Sequence, residues 1–276
     1  MPTAPGRERP PTPTAIALVT GASGGIGEEL AKLLAADRAT LVLAARSAAR
    51  LHDVADDCRR LGALRVETVA VDLASADGVS TLVAAVRSAG LRIDVLVNNA
   101  GFGLAGPFEH TALGDELEMI RLNVVSLTHL TKAFLPDLRA AQPGPGRLLN
   151  VASTAAFQPG PYMAVYYATK AYVLSFSEAL AEELRGENVT VTALCPGPTR
   201  TGFAARAGMR NSRLFRMGVV SDARRVARAG YRGMLRGRRV VVPGVLNQVL
   251  VQANRISPRA LTARVTRALN RGRSPA

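Results

Sequence analysis

The sequence predicts an α/β protein built on a doubly wound parallel sheet, and three observations carry that prediction. Short apolar runs alternate along the chain with helical patterns of ten or more residues. The runs are nearly continuous in Val, Leu and Ala, as strands buried on both faces are, and do not alternate apolar with polar. The first run feeds through a glycine-rich turn straight into a helical pattern. With 276 residues, 48% of them hydrophobic and only 4% aromatic, the chain is long enough to bury a core of aliphatic side chains.

Taken in order, Ala15–Thr20 (AIALVT) reads as a buried strand and Ile26–Ala36 as a helix with Leu30, Leu33 and Leu34 on one side. A second strand is expected at Thr40–Ala45, a helix at Leu51–Leu61, a third strand at Val66–Val71, a helix at Val79–Ala89 and a fourth strand at Asp94–Val97. A long helix over about Asp115–Ala140 follows. Then come a fifth strand at Arg147–Ala152, a helix at Met163–Leu184 and a sixth strand at Val189–Leu194. Past Pro196 the pattern loosens into a loop to about Val220, a helix near Asp222–Leu235 and a last strand at Arg239–Val242, giving about seven strands. No internal repeat or interdomain linker interrupts this. The expected organisation is a Pro-rich disordered tail at 1–14, one domain at 15–245 and a basic amphipathic extension at 246–276.

Charge is unevenly placed. From Arg200 onward eighteen arginines stand against one acid, Asp222, so this region carries +17 of a total of +14 and the first 199 residues carry −3. Arginine is the general cation of the chain, with lysine only at Lys32, Lys132 and Lys170. A basic region can meet nucleic acid, acidic lipid or an anionic substrate. Nucleic acid is not expected, because the extension has no aromatic residue to stack on bases. Within it, Leu246, Val249, Leu250, Ala253 and Ile256 share one helical face and Leu261, Val265 and Leu269 another, either side of Pro258. Packing or oligomerisation is the expectation for these faces, with peripheral membrane contact as the alternative. Cys58 and Cys195 lack metal-ligand spacing, no metal is expected, and a reducing, cytoplasmic setting suits them. The N-terminal stretch has no apolar segment of a signal peptide, and no run reaches the roughly 18 residues of a membrane span.

The glycine turn is Thr20–Gly27, TGASGGIG, with Gly21, Gly25 and Gly27 in a TGxxxGxG spacing. Glycines between a strand and a helix let backbone N–H groups approach a pyrophosphate at the helix N-terminus, so a dinucleotide is expected there. An NAD site wants a carboxylate at the end of the second strand. This chain has Ala44-Ala45-Arg46-Ser47 instead, and Arg46 suits a 2′-phosphate, so NADP(H) is expected over NAD(H).

Tyr166 and Lys170 are four residues apart on a helical pattern, one turn apart on one face. An ammonium beside a phenol stabilises its anion and should draw its pKa down towards neutrality, as a proton donor to a carbonyl oxygen requires. Ser153, thirteen residues before Tyr166 at a strand end, could hold the same oxygen. Tyr162, Tyr167 and Tyr172 have no lysine four residues on.

These motifs, with Asp72-Leu73, Asn98-Asn99-Ala100-Gly101, Asn123 and Pro196-Gly197 in order between them, resemble the short-chain dehydrogenase/reductase superfamily over about residues 15–245. The chain looks most like bacterial reductases similar to 3-ketoacyl and 17β-hydroxysteroid reductases. The resemblance implies a Rossmann-type fold and an NAD(P)-dependent oxidoreductase acting on a small carbonyl or alcohol, in a homodimer or homotetramer. It implies that Tyr166 is the general acid/base, that Lys170 tunes it and grips the nicotinamide ribose, that Ser153 contacts the substrate oxygen, and that Asn123 positions a relay water. Gly21, Ser23, Gly25, Ile26, Gly27, Arg46, Asp72, Asn99, Gly101, Pro196, Gly197 and Thr201 would line the cofactor site together with Tyr166 and Lys170. NADP-preferring relatives often carry a base inside the glycine loop, where this chain has Ser23. The resemblance leaves a non-catalytic NADP(H)-binding regulator, or a membrane-surface acyl-thioester reductase, as alternatives. The segment Arg200–Val219, with Phe203, Met209, Leu214, Phe215 and Met217, is expected to cover a hydrophobic substrate opposite Gly101–Phe108.

Overall fold

The computed structural model describes residues 15–203, 207–208 and 220–270. Strand β1 (Ile16–Thr20) leads into α1 (Gly25–Ala36), followed by β2 (Thr40–Ala45), α2 (Ala48–Arg60), β3 (Arg65–Ala70), α3 (Gly78–Ser88) and β4 (Val95–Asn98). The second half runs α4 (Leu113–Ile120), a π-helical turn (Arg121–Ser126), α5 (Leu127–Arg139), β5 (Gly146–Val151), α6 (Ala164–Glu183) and β6 (Val189–Leu194). Next come the short strands β7 (Thr199–Arg200) and β8 (Ser221–Asp222), then α7 (Ala223–Leu235), β9 (Val240–Val241), α8 (Val245–Ile256) and α9 (Arg259–Asn270).

The main sheet has seven parallel strands in the order β3-β2-β1-β4-β5-β6-β9. The winding therefore reverses between β1 and β4, which opens a crevice above their carboxyl ends. Successive strand residues point to opposite faces, and the sheet uses both. Leu18, Val42, Ala44 and Leu96 pack with α3, α5 and α6 through Leu82, Phe134 and Leu180. Ala17, Val19, Leu41 and Leu43 pack with α1, α2 and α7 through Leu30, Leu34, Leu51 and Met234. This two-sided burial is why the strands read as unbroken apolar runs.

The expected long helix over Asp115–Ala140 exists, but a π turn at Arg121–Ser126 divides it. Ser126 Oγ donates to the carbonyls of Leu73 and Arg121, a competing bond set that periodicity does not reveal. The irregular stretch after β6 also contains a two-strand ladder, β7 with β8, that the sequence pattern does not signal. Residues 1–14, 204–206, 209–219 and 271–276 lie outside the described residues. The predicted Pro-rich tail and, of the predicted lid, Met209, Leu214, Phe215 and Met217 fall among them.

The C-terminal helices form as expected, but the face they pack is not the apolar one. Asn247 and Val251 of α8, and Thr262, Thr266 and Asn270 of α9, are buried. Leu246, Val249, Leu250, Ile256, Leu261 and Val265 are exposed. Among the described residues no helix is long and apolar enough to cross a membrane.

Candidate active site

The crevice at the reversal point holds a cleft of about 570 Å³. Gly21, Ser23, Gly25, Ile26, Arg46, Asp72, Asn99, Gly101, Ser153, Tyr166, Lys170, Pro196, Gly197 and Thr201 all line it. Two further expected residues, Gly27 and Asn123, stand directly behind this lining.

The glycine loop is held by residues from the neighbouring strand. Thr20 Oγ1 donates to Val97 O at 3.2 Å and accepts from the N–H groups of Asn99 and Ala100 at 3.0 Å each. Asn99 Nδ2 donates to the carbonyls of Thr20 (2.9 Å) and Gly21 (3.1 Å). Gly21 and Gly25 adopt φ of 63° and 61°, a region costly for any residue with a Cβ. At Gly27 a Cβ would lie 2.4 Å from Gly21 O and from Asn99 Nδ2. The helix that starts here, α1, has no side-chain cap. Its first-turn N–H groups have no partner within the helix and open into the cleft, the arrangement that suits a phosphate. These residues fit a dinucleotide. Thr20 was not singled out from the sequence, and its signal would have been a hydroxyl closing β1 where its neighbours are apolar.

Arg46 follows β2 at the rim. Its Nη1 lies 3.7 Å from Glu118 Oε1, with the two side chains 52% and 36% exposed. An exposed pair at that distance holds the guanidinium only weakly. Asp72, beyond β3, accepts at Oδ1 from Ala74 N–H at 2.9 Å. Thr201 Oγ1 accepts from Phe203 N–H at 3.2 Å.

Ser153 caps a short turn after β5. Its Oγ accepts from Ala155 N–H at 3.1 Å and donates to Pro196 O at 3.4 Å. Tyr166 and Lys170, in the first half of α6, are both buried. The Tyr166 phenol shares a hydrogen bond with Ser153. Lys170 Nζ donates to Val151 O at 2.9 Å and lies 6.0 Å from the Tyr166 ring centroid. Asn123 sits in the π turn, with Nδ2 donating to Phe102 O (2.9 Å) and Thr169 Oγ1 (3.1 Å) and Oδ1 accepting from Phe102 N–H (3.1 Å). Gly101 fits between these groups: a Cβ there would stand 2.8 Å from Asn123 Oδ1 and 3.5 Å from Lys170 Nζ.

One electrostatic expectation is corrected. Burial pushes the Tyr166 phenol well above its ordinary value, and the hydrogen bond with Ser153 only partly opposes this. Lys170 is pulled down to about 8, by burial first, with the nearby Cys195 opposing. Desolvation disfavours the charged form of both groups. At this separation, with the amine tied to a carbonyl, it outweighs the attraction inferred from helical spacing.

Around Tyr166 the structure brings together Phe203, expected on the lid, and Tyr167, which sequence reasoning did not place in this wall. Phe203 packs against it at 5.3 Å with the rings tilted by 49°, and Tyr167 meets it edge-on at 6.0 Å. Gly103 must be glycine for this packing, since a Cβ would reach within 2.7 Å of Phe203. Tyr167 Oη donates to Asn270 Oδ1 of α9 at 3.3 Å, and Asn270 Nδ2 donates to Pro161 O at 3.0 Å. Partners some hundred residues apart leave no local signal. Among the described residues no group of three His, Cys, Asp or Glu side chains could hold a metal.

Comparison with known proteins agrees with this geometry. The short chain dehydrogenase family matches residues 15–211, and the chain belongs to that family. As a member it is an NAD(P)-dependent oxidoreductase. Over 254 residues it is 33% identical to an 11-beta-hydroxysteroid dehydrogenase-like protein, 4A, of Arabidopsis thaliana, covering 91% of this chain and 84% of the relative. Over 194 residues it is 32% identical to the ketoacyl reductase HetN of Nostoc, covering 70% of this chain and 64% of that protein. A short-chain dehydrogenase from Sphingobium yanoikuyae, solved in complex with NADPH, superposes with a TM-score of 0.76 at 30% identity, covering 89% of this chain and 97% of that one.

Proposed function

We propose that this oxidoreductase prefers NADP(H) and interconverts a hydrophobic ketone and its alcohol, with Tyr166 as general acid/base. The observation that carries the reading is the meeting of Ser153, Tyr166 and Lys170 in the same cleft as the uncapped start of α1. When bound, the nicotinamide supplies or accepts the hydride.

The chain's own residues do the rest. Gly21, Gly25 and the α1 N–H groups hold the pyrophosphate, and Arg46 takes the 2′-phosphate in exchange for its weak contact with Glu118. Ser153 and Tyr166, already hydrogen-bonded to each other, present two hydroxyls to one carbonyl oxygen. A phenol whose pKa is raised stays protonated at neutral pH, and so is poised to give its proton to the oxygen of a ketone being reduced. Lys170, titrating near 8, can restore that proton from behind. Asn123 fixes the Gly101–Phe102 segment beside Lys170, and on the family resemblance it positions the water that completes the route to solvent. Phe102, Leu122, Met163, Tyr167 and Phe203 line the remainder of the cleft, a wall that favours an apolar substrate.

The test is nicotinamide oxidation against a panel of bulky ketones, aldehydes and β-ketoacyl thioesters, run with NADPH and with NADH. Turnover of apolar ketones with a higher kcat/KM for NADPH is expected. Replacing Arg46→Asp should shift the cofactor ratio of kcat/KM towards NADH by about tenfold or more, the loss of one charge-assisted bidentate contact. An unchanged ratio would remove Arg46 from the reading.

A further inference from the structure

The C-terminal helices are turned inside out relative to ordinary amphipathic packing. At about 100° per residue, Asn247, Val251 and Asn254 of α8 share one side, and that side faces the domain: Asn247 and Val251 are buried, and Asn254 hydrogen-bonds to Gln158. Val245, Val249 and Ile256 occupy the opposite side and Leu246 and Leu250 one flank, all at 50–88% exposure. On α9 the inward stripe is Thr262, Thr266 and Asn270, with Asn270 bonded to Tyr167 and Pro161. Leu261 and Val265 point outward at 52% each. Polar groups thus tie both helices down while the aliphatic side chains stay exposed, Val249 and Ile256 at the edge of an open groove against α7 and β9. Isolated exposed aliphatic residues are common, but a set at helical spacing on two consecutive helices is not.

Charge says what covers this face. From residue 223 to the end the sequence contains thirteen arginines and no acid. Arg255, Arg259, Arg264 and Arg267 lie on the same two helices as the aliphatic residues, and Arg264 borders the outward stripe of α9. A second copy of this chain would bring an equally basic surface against this one, and like charges would oppose the contact. An anionic bilayer supplies both an apolar layer for the aliphatic side chains and negative headgroups for the arginines.

We propose that the outward faces of α8 and α9 form a docking surface for anionic phospholipid, with the helices lying in the plane of the membrane surface. They carry the aliphatic residues into the headgroup boundary and leave their polar stripes bonded to the catalytic domain. Because Asn270 holds Tyr167, the neighbour of Tyr166, the docked face and one wall of the cleft belong to the same packed unit.

The test is flotation of the full chain with phosphatidylcholine vesicles, with and without about one third phosphatidylglycerol, at low and high salt. Binding to the anionic vesicles alone is expected, falling by about tenfold as salt screens the arginines. The triple variant Leu250→Gln, Ile256→Gln and Leu261→Gln changes only exposed side chains, so it should keep its thermal stability and its turnover of a water-soluble ketone while losing vesicle binding by about tenfold or more. Light scattering on both proteins separates the rival occupant. Absence of vesicle binding by the parent chain overturns the proposal, as does a parent dimer that the triple variant converts to monomer without any vesicle binding by the parent. Equal binding to neutral vesicles removes the role of the arginines and overturns it in the form stated.

Discussion

Removing the Tyr166 hydroxyl tests the assignment of the proton donor with little disturbance of the fold. Tyr166→Phe keeps the ring, which is 92% buried against Phe203 and Tyr167, and removes only the oxygen bonded to Ser153. The ring packing supplies most of what this residue gives to stability. Loss of one hydrogen bond costs about 1 kcal/mol, and part of that is recovered because the desolvated phenol no longer needs a partner. The melting temperature should therefore move by only a few degrees. Catalysis should not survive so well. A positioned general acid contributes about 10²–10⁴ in rate, or about 3–5 kcal/mol of barrier. No other phenol can replace it, because Tyr167 is bonded to Asn270 of α9. The assay is single-turnover and steady-state oxidation of NADPH by the best ketone found, alongside a fluorescence titration of NADPH binding. The expected result is a kcat at least about 100-fold lower with the NADPH dissociation constant within about threefold. A kcat within threefold of the parent, in a variant that still binds NADPH, would refute the assignment of Tyr166.

Further expectations follow from groups with different roles. Lys170→Met should abolish turnover through loss of the amine that backs Tyr166, while the buried position tolerates the apolar replacement. The folded-state pKa of Lys170 is lowered to about 8 from 10.5, so between those values the unfolded chain binds the extra proton. The parent should therefore gain stability relative to Lys170→Met as pH rises from about 8 to 10.5, by an amount of order 3 kcal/mol, and a pH series of thermal melts checks the sign. Gly27→Ala places a methyl 2.4 Å from Gly21 O, a backbone atom that cannot swing away, so titration should show NADPH binding lost or weakened more than tenfold. Asp137→Ala acts far from the cleft. Asp137 accepts from Arg87 Nη1 at 2.6 Å and from the buried Ile93 N–H at 3.0 Å, so its removal should cost about 3 kcal/mol in denaturant unfolding with kcat unchanged below the melting point.

The sequence alone determined the order of the elements, because strands buried on two faces and helices buried on one leave different apolar periods. Leu41 and Leu43 point to one side of the sheet and Val42 to the other, and both sides demand aliphatic residues. It also determined which side chains gather in the cleft. Their places at strand ends and helix starts are set by chain order, and the glycine turn, Ser153, the Tyr166–Lys170 pair and Arg46 were all legible for that reason. What the sequence left open depends on distance and burial. Helical spacing suggests that Lys170 acidifies Tyr166, yet only the folded chain shows the amine turned to Val151 O and both groups withdrawn from water, with desolvation dominant. The π turn at Asn123 depends on a bond from Ser126 to Leu73, fifty-three residues away, and no local pattern encodes it. The same holds for the C-terminal helices. Periodicity found their aliphatic faces correctly, but which face turns inward was decided by Asn254 and Asn270 finding partners on the domain, a match of hydrogen-bonding groups that exists only once the chain has folded.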